Sequence, residues 1–398
     1  MNPGLRLLEP YPFERLAALR ADLEPNPELS PINMSIGEPQ HSTPPFIHDA
    51  LIANLATTAK YPATKGGDEL RATIAAWLSA RFKLPTTAID PTRMVLPVNG
   101  TREALFAAAQ CFAKRDADSC IAMPNPFYQI YEGAALLAGT RPYFMPCPAE
   151  RGFLPDFSAV PVTVWKRCAF VYVCSPANPS GAVLPAAELT KLIELADRHD
   201  FVVIADECYS ELYTAEDDPP PGLLQAAWNG GSADFRRCLV MHSLSKRSNA
   251  PGLRSGFVAG DPALIEVFLR YRTYHGSAMP FHVQAASVAA WRDEAHVREN
   301  RRLYRAKFRA VTDILADTLN APIPAGGFYL WPPLPMDDLT VCRALIEQAN
   351  VTTLPGQFLA RAVDGYNPGQ GRLRIALVAD EASCTEAARR IRQVLRDL

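Results

Sequence analysis

The sequence has no excess of charge of either sign. Its 40 basic and 42 acidic side chains leave a formal net charge of −2 over 398 residues. Proteins that bind nucleic acid or an anionic membrane surface generally present a strong basic field. We therefore expect no nucleic acid and no membrane as partners, and we expect small molecules and a second copy of the chain instead.

Long apolar runs are also missing. The most apolar strand-like run, Cys168–Cys174, has seven residues, whereas a membrane-spanning helix needs about 18 or more. The first residues, Met1–Arg6, contain no apolar stretch of the kind that a secretory signal requires. These features predict a cytoplasmic protein.

Paired cysteine motifs and a dinucleotide fingerprint are absent too. The nine cysteines include no Cys-x-x-Cys pair, which argues against a disulfide framework and against a zinc knuckle, and no metal site is predicted. No predicted strand is followed by Gly-x-Gly-x-x-Gly, so the sequence does not favour a nicotinamide-dependent enzyme. With 48% hydrophobic residues, the chain has the material for a large core.

Between residues 94 and 260, short runs of β-branched and aromatic residues alternate with amphipathic stretches. This alternation is typical of an α/β domain with a mainly parallel sheet. The seven predicted strands are Met94–Val98, Ser119–Met123, Arg141–Met145, Cys168–Cys174, Phe201–Ala205, Cys238–His242 and Gly256–Ala259. The predicted covering helices are Thr101–Ala113, Phe127–Ala138 and Ala186–His199.

The rest of the chain predicts two further units. Residues 281–398 are expected to form a smaller α+β domain, with a long helix over about 295–319, strands at Phe328–Trp331 and Arg372–Leu377, and a final helix from about Glu381. Residues 46–280 would form the large domain, and the Pro-rich residues 1–45 an extended arm that packs beside the small domain. The basic residues between 298 and 309 are interpreted as the solvated face of the long helix rather than as a nucleic-acid stripe.

The stretch Ser243–Gly256 is the most informative motif. It places an amine, Lys246, between two hydroxyls and an arginine eight residues later, Arg254, just beyond a predicted strand. An amine that forms a Schiff base beside a phosphate-binding group suits pyridoxal 5'-phosphate. An independent signal is Asp206, a carboxylate at the end of a strand, where open α/β sheets bind ligands.

This stretch resembles the Schiff-base motif of fold-type I pyridoxal-phosphate aminotransferases of class I/II, Ser-x-Ser-Lys followed by Gly-x-Arg-x-Gly. The resemblance implies that Lys246 forms the aldimine with the cofactor, and that Asp206 pairs with its pyridine nitrogen. Phosphate contacts are implied likewise, at Ser243, Ser245, Arg254, Gly100, Thr101 and Arg102. Contacts with the cofactor ring are implied at Tyr128, which would stack on it, and at Asn178 and Tyr209, which would bind its phenolic oxygen. Phe127 is the alternative to Tyr128 as the ring that stacks on the cofactor.

The same resemblance implies substrate and subunit contacts. Arg374 occupies the position of the arginine that binds the substrate α-carboxylate, while Arg372 would face the other side of its strand. The backbone at Ile36 and Gly37 and the side chain of Asn178 would meet the same carboxylate. Tyr61 would reach the phosphate of a neighbouring subunit, which implies a homodimer with shared active sites.

The match covers about residues 30–390, and its detailed wording at 99–102, 242–249 and 326–331 resembles bacterial N-succinyldiaminopimelate aminotransferases. That resemblance implies ping-pong transfer of an amino group between glutamate/2-oxoglutarate and N-succinyl-2-amino-6-oxopimelate/N-succinyl-diaminopimelate, in lysine biosynthesis. An aminotransferase of aspartate, alanine or aromatic specificity and a carbon–sulfur β-lyase remain open alternatives. A transcriptional regulator is disfavoured, because the roughly 30 residues that precede the match are too few for a DNA-binding module.

Overall fold

A seven-stranded sheet lies at the centre of the molecule, for which the computed structural model describes residues 1–114 and 118–398. The strands, numbered along the chain, are β1 (Ile32–Asn33), β2 (Val95–Val98), β3 (Cys120–Asn125), β4 (Arg141–Pro146), β5 (Cys168–Cys174), β6 (Val202–Asp206), β7 (Cys238–Ser243), β8 (Gly256–Gly260), β9 (Tyr329–Leu330), β10 (Val351–Thr352), β11 (Leu354–Pro355) and β12 (Leu373–Ala376). The large sheet has the order β2-β8-β7-β6-β5-β3-β4. Strand β8 runs antiparallel to β2 and β7, and the other neighbouring pairs are parallel. The predicted fold class is confirmed.

Helices cover both faces of this sheet. The helices of the described residues, including those that lie elsewhere, are α1 (Pro12–Leu19), α2 (Pro45–Ala53), α3 (Asp68–Arg81), α4 (Thr101–Phe112), α5 (Ile130–Leu137), α6 (Val162–Trp165), α7 (Ala186–His199), α8 (Leu223–Asn229), α9 (Leu244–Arg247), α10 (Pro262–His275), α11 (Phe281–Arg292), α12 (Ala295–Leu315), α13 (Asp338–Ala349) and α14 (Glu381–Asp397). Val203 packs into the layer that contains α3, α7 and α8, whereas its neighbour Ile204 packs into the layer of α4, α5 and α10. Because both faces are buried, the central strands are continuous apolar runs rather than alternating ones.

The described residues include no membrane-spanning helix and no disulfide bond. None of the described helices combines the length and the apolar character needed to cross a bilayer. All nine cysteines have free thiols, and seven of them are buried.

A second, smaller assembly contains the C-terminal strands. Strands β11, β12 and β9 form an antiparallel sheet, which packs on α12, α13 and α14. The N-terminal segment joins this assembly, since β1 pairs with β10. The expectation of an extended arm is wrong for α1, where Pro12 fits the first helical turn. The backbone N–H of Tyr11 donates to the Glu14 carboxylate, which satisfies a donor at the start of the helix.

The division into domains stays a prediction, and the packing of α11 bears on one of its boundaries. This helix follows the expected boundary at residue 280, yet it packs against α2 and α3. Its residues Val283 and Trp291 belong to the core of the large sheet. We therefore propose that the boundary lies after Arg292.

The interpretation of the basic residues of α12 as a solvated face is wrong for two of them. Arg301 is 4% exposed and donates to the Glu216 carboxylate at 2.5 and 3.1 Å. Lys307 is 1% exposed and donates to the Ala379 carbonyl at 2.8 Å. A buried charge needs such partners to offset the loss of water. Helix α12 is thereby tied to the loop that follows β6.

We expect Arg301→Leu to lower the free energy of unfolding by about 2–4 kcal/mol, because it leaves the buried Glu211 with fewer positive neighbours. Urea denaturation followed by circular dichroism measures this change. The matched control is Arg302→Leu on the same helix, where the exposed arginine pairs with the exposed Glu299, and its midpoint should not move. Equal shifts in the two variants would contradict the inference.

Candidate active site

A cavity of about 510 Å³ lies at the carboxyl ends of the parallel strands, the usual ligand position in open α/β sheets. It gathers predicted site residues from seven separate segments of the chain. Those that line it are Ile36, Gly37, Thr101, Arg102, Tyr128, Asn178, Asp206, Tyr209, Ser243, Ser245, Lys246, Arg254 and Arg374.

Lys246 lies in the short helix α9, directly after β7. Its Nζ donates to the Gly37 carbonyl at 2.6 Å and lies 5.4 Å from the centre of the Phe328 ring. Burial lowers the pKa of Lys246 to about 8, and the charges of Arg374 and Arg254 act in the same direction, while Cys208 and Glu38 oppose them. Near neutral pH this amine is thus much closer to its nucleophilic, neutral form than an ordinary lysine.

Asp206 ends β6, the strand beside β7. The Tyr131 hydroxyl donates to its Oδ2 at 2.7 Å, and the backbone N–H of Cys208 donates to Oδ1 at 3.2 Å. Burial raises the pKa of Asp206. A protonated ring nitrogen placed beside this carboxylate would stabilise its charged form, so the site fits a pyridinium.

One end of the cavity is built to hold an anion. The Ser243 and Ser245 hydroxyls lie 2.9 Å apart, and the guanidinium of Arg254 lies against Gly100. Gly100 has φ +89°, and a Cβ there would overlap the Arg254 guanidinium, so the position requires glycine. Helix α4 begins at Thr101, and its N-terminal N–H groups favour negative charge. The arrangement fits a phosphate.

A second group of residues suits a carboxylate. Arg374, 3% exposed on β12, donates to Asn178 Oδ1 at 2.9 Å and to the Ser35 carbonyl at 2.7 Å. Its buried Nε has no hydrogen-bond partner among the described residues. Arg372 instead donates to the Trp331 carbonyl at 3.1 Å and does not line the cavity. An arginine with a spare buried N–H is suited to a planar anion.

The structure places the aromatic residues that were predicted to contact the cofactor. Tyr128 lines the cavity, whereas the alternative, Phe127, is 1% exposed and packs in the core beside Phe144. Tyr61 is 101% exposed and lies outside the cavity of its own chain. Its contact with a partner subunit stays a prediction.

Tyr329 is a cavity residue that the sequence analysis missed. Its hydroxyl lies 3.0 Å from the Tyr209 hydroxyl, and a Cβ at Gly37 would overlap it. The alternation of β-strand side chains could have identified it, because Tyr329 lies opposite Ala376, which shares a strand face with Arg374. Tyr11 and Phe13, two further missed aromatic residues of the cavity wall, gave no comparable signal, since their segment was interpreted as an extended arm.

The family of the protein follows from comparison with known sequences. The model of the family described as aminotransferase class I and II matches residues 30–391. The chain belongs to the aminotransferase class I and II family. It is thus a pyridoxal-phosphate-dependent aminotransferase, as the motifs predicted.

Related aminotransferases match along the whole chain. An LL-diaminopimelate aminotransferase of Nitratidesulfovibrio vulgaris is 30% identical over 394 residues, 97% of each chain. The 4-dedimethylamino-4-oxo-anhydrotetracycline transaminase OxyQ of Streptomyces rimosus is 34% identical over 389 residues, 97% of this chain and 100% of that one.

Solved aminotransferase structures share the fold. An aminotransferase from Neisseria meningitidis superposes with a TM-score of 0.95 at 47% identity and full coverage of both chains. A probable N-succinyldiaminopimelate aminotransferase from Thermus thermophilus gives a TM-score of 0.85 at 26% identity, covering 96% of this chain and 100% of that one. The pyridinium, phosphate and carboxylate fits described above agree with the cofactor and the substrate class of this family.

We expect the cofactor-free aminotransferase to react with trinitrobenzenesulfonate at Lys246 with a rate that rises about tenfold per pH unit up to about pH 8 and then levels. The reason is that the neutral amine reacts, and its fraction saturates above the pKa. Peptide mapping of the labelled protein at each pH measures the rate, with Lys246→Met as the control that lacks the labelled peptide. A rate that still climbs tenfold per unit above pH 9 would contradict the lowered pKa.

Proposed function

We propose that the protein transfers an amino group between glutamate/2-oxoglutarate and N-succinyl-2-amino-6-oxopimelate, the acceptor that leads to N-succinyl-diaminopimelate in lysine biosynthesis. The observation that carries the substrate class is the presence of two cations beyond those suited to the cofactor. Arg374 suits an α-carboxylate, and Arg102 lies on the cavity wall with an exposed side chain. A long dicarboxylate would use both.

Residues of this chain hold the cofactor in this proposal. When bound, pyridoxal phosphate supplies an electron sink for the carbon that bears the substrate amine. Lys246 would hold it covalently, and Asp206 would bind its ring nitrogen. The hydroxyls of Ser243 and Ser245, the Arg254 guanidinium and the start of α4 would hold the phosphate, and Tyr128 would contact the ring.

The proton transfers are assigned to Lys246. The lowered pKa of about 8 suits Nζ both to accept a proton from the substrate α-carbon and to release it again. Tyr209 and Asn178 would hold the cofactor through its phenolic oxygen. The Oδ1 of Asn178 accepts from Arg374, which leaves its Nδ2 as the donor.

Arg374 binds the substrate α-carboxylate, using its spare Nε and one terminal nitrogen. The backbone at Ile36 and Gly37 closes over the same group, since Ser35 already accepts from Arg374. The proposal includes a cytoplasmic homodimer in which Tyr61 of each chain contacts the phosphate of the other. The full exposure of Tyr61 supports this contact.

The second candidate acceptor is 2-amino-6-oxopimelate, which lacks the succinyl group and gives diaminopimelate on amination. It is favoured by the relatives that are named LL-diaminopimelate aminotransferases, at about 30% identity. The two candidates share both carboxylates of the pimelate chain and differ at the distal nitrogen, which is acylated in one and free in the other.

The test is the absorption spectrum of the holoenzyme with L-glutamate, followed by separate additions of N-succinyl-2-amino-6-oxopimelate, 2-amino-6-oxopimelate, oxaloacetate and pyruvate. We expect glutamate to convert the resting band to that of the aminated cofactor, and the succinylated acceptor to restore it fastest. Fastest restoration by 2-amino-6-oxopimelate would favour the second candidate. Release of ammonia and pyruvate from cystathionine without a keto acid would indicate the β-lyase instead.

Arg102 is the residue that we assign to the distal carboxylate. The resemblance places it with the phosphate ligands, but its guanidinium lies 5.8 Å from the Tyr11 ring at the cavity wall. We expect Arg102→Ala to raise KM for the dicarboxylate acceptor by about tenfold to a hundredfold, the cost of one charge-assisted hydrogen bond. KM for pyruvate should change little.

The control is Arg102→Lys, which keeps the positive charge and should recover part of the affinity. Steady-state kinetics on the two acceptors gives the comparison. If Arg102→Ala weakens cofactor binding and raises both KM values alike, then Arg102 belongs to the phosphate cradle, and the assignment is wrong.

A further inference from the structure

Asn300 lies behind the turn that carries Lys246 and is 2% exposed. Its Nδ2 donates to the Lys246 carbonyl at 3.2 Å. Its Oδ1 accepts from Asn249 Nδ2 at 3.1 Å and from His41 Nδ1 at 2.8 Å. Because a carbonyl oxygen only accepts, Nδ1 of His41 carries the proton, and the three partners together determine the orientation of the amide.

The partners of Asn300 belong to two chain segments, residues 37–43 and the lysine turn at residues 246–249. Residues 37–43 contact the lysine turn directly at two points and through Asn300 at a third. The Gly37 carbonyl accepts from Lys246 Nζ, His41 holds Asn300, and the Thr43 hydroxyl donates to the Asn249 carbonyl at 2.5 Å. The same segment begins beside Ser35, whose carbonyl accepts from Arg374.

The lysine itself needs such support. Helix α9 has four residues, too few for a helix to be rigid by its own hydrogen bonds. The lysine side chain is a flexible four-carbon stem. The position of Nζ therefore depends on what fixes the backbone of residue 246, and Asn300 bonds to that backbone directly.

We infer that Asn300 is a positioning residue for Lys246, which it couples through His41 to the segment that borders the substrate carboxylate site. This inference rests on the proposed role of Lys246. Asn300 lines no part of the cavity, so it acts through the lysine rather than on substrate. A role limited to packing would change the stability of the fold and leave the chemistry of Nζ unchanged.

The test compares Asn300→Ala and Asn300→Asp with Tyr304→Phe. Tyr304 is one turn further along α12, and its ring lies 4.7 Å from His41. Its buried hydroxyl has no hydrogen-bond partner among the described residues, so Tyr304→Phe disturbs the same packing without touching the amide. Holoenzyme is titrated with pH by absorbance in the absence of substrate, and its kcat, KM for glutamate and thermal midpoint are measured. The groups around Nζ, namely Glu38, Cys208, Arg254 and Arg374, are the same in every variant.

For Asn300→Ala we expect kcat to fall by about tenfold to a hundredfold with little change in KM, since a displacement of about 1 Å at a reacting group has such a cost. For Asn300→Asp we expect the pH midpoint of the cofactor band to rise, because a buried negative charge near Lys246 favours its protonated nitrogen. Tyr304→Phe should match the parent in all of these measurements. Folded Asn300 variants with the parent's kcat and pH midpoint would overturn the inference.

Two further measurements keep the result decisive. If the Asn300 variants do not fold, His41→Phe removes the Nδ1 donor and keeps a ring against Tyr304. It should move kcat in the same direction by a smaller factor, and parental kinetics would overturn the inference.

Borohydride reduction of the parent holoenzyme and peptide mapping test Lys246 separately. Cofactor attached to another residue would refute the proposed function, whereas attachment at Lys246 with silent Asn300 and His41 variants refutes only the positioning role.

Discussion

The parallel pairing of β6 and β7 is the constraint on which the site depends. Neighbouring parallel strands end at the same edge, so Asp206 and the turn of Lys246 emerge side by side. The backbone N–H of Glu207, one residue past β6, donates to the Met241 carbonyl of β7 at 2.9 Å and holds these ends together. The Glu207 side chain in turn accepts from the Leu223 backbone at 2.8 Å. His242 is buried beside Glu207, and the Trp77 ring packs against its imidazole.

Burial then sets the chemistry of the cavity. It lowers the pKa of Lys246 and raises the pKa of Asp206, so each group is driven toward its neutral form. A cofactor with a cationic ring nitrogen at one end and a phosphate at the other supplies the charges that this site lacks. In the proposed arrangement the nitrogen would stabilise the Asp206 carboxylate, and the phosphate would complement Arg254. The unloaded site is therefore electrostatically unfavourable in the way that a cofactor-binding site must be.

Much of the site was accessible from the sequence, because its residues follow strands that could be recognised as short apolar runs. Lys246, Asp206 and Asn178 each come directly after such a strand. The carboxyl ends of parallel strands lie at the same edge of the sheet, whatever the course of the loops between them. Arg374 was assigned from the resemblance to the family, and the alternation of its strand separated it from Arg372. Each of these residues can be recognised from a sequence pattern that lies within a few positions of it.

The residues that escaped prediction are those whose roles depend on distant segments. Tyr329 belongs to the site because Gly37 and Tyr209, from distant segments, pack against it. Asn300 is placed there by its hydrogen bonds to residues 37–43 and 246–249. Arg301 looked like a surface charge, yet the loop after β6 covers it. No local pattern encodes such contacts. The helical start at Pro12 was missed for another reason, since proline disrupts helices in general but is favoured in their first turn.

Helix α12 connects these observations. Its adjacent residues Asn300 and Arg301 contact the loops after β7 and β6 respectively, through the Lys246 carbonyl and through Glu216 and the Glu211 carbonyl. The same helix packs on the C-terminal assembly that carries Arg374 and Tyr329. In the proposed mechanism, a displacement of that assembly would therefore reach the loops after β6 and β7 through two consecutive side chains. The proposed carboxylate site at Arg374 and the position of Lys246 are connected through this helix.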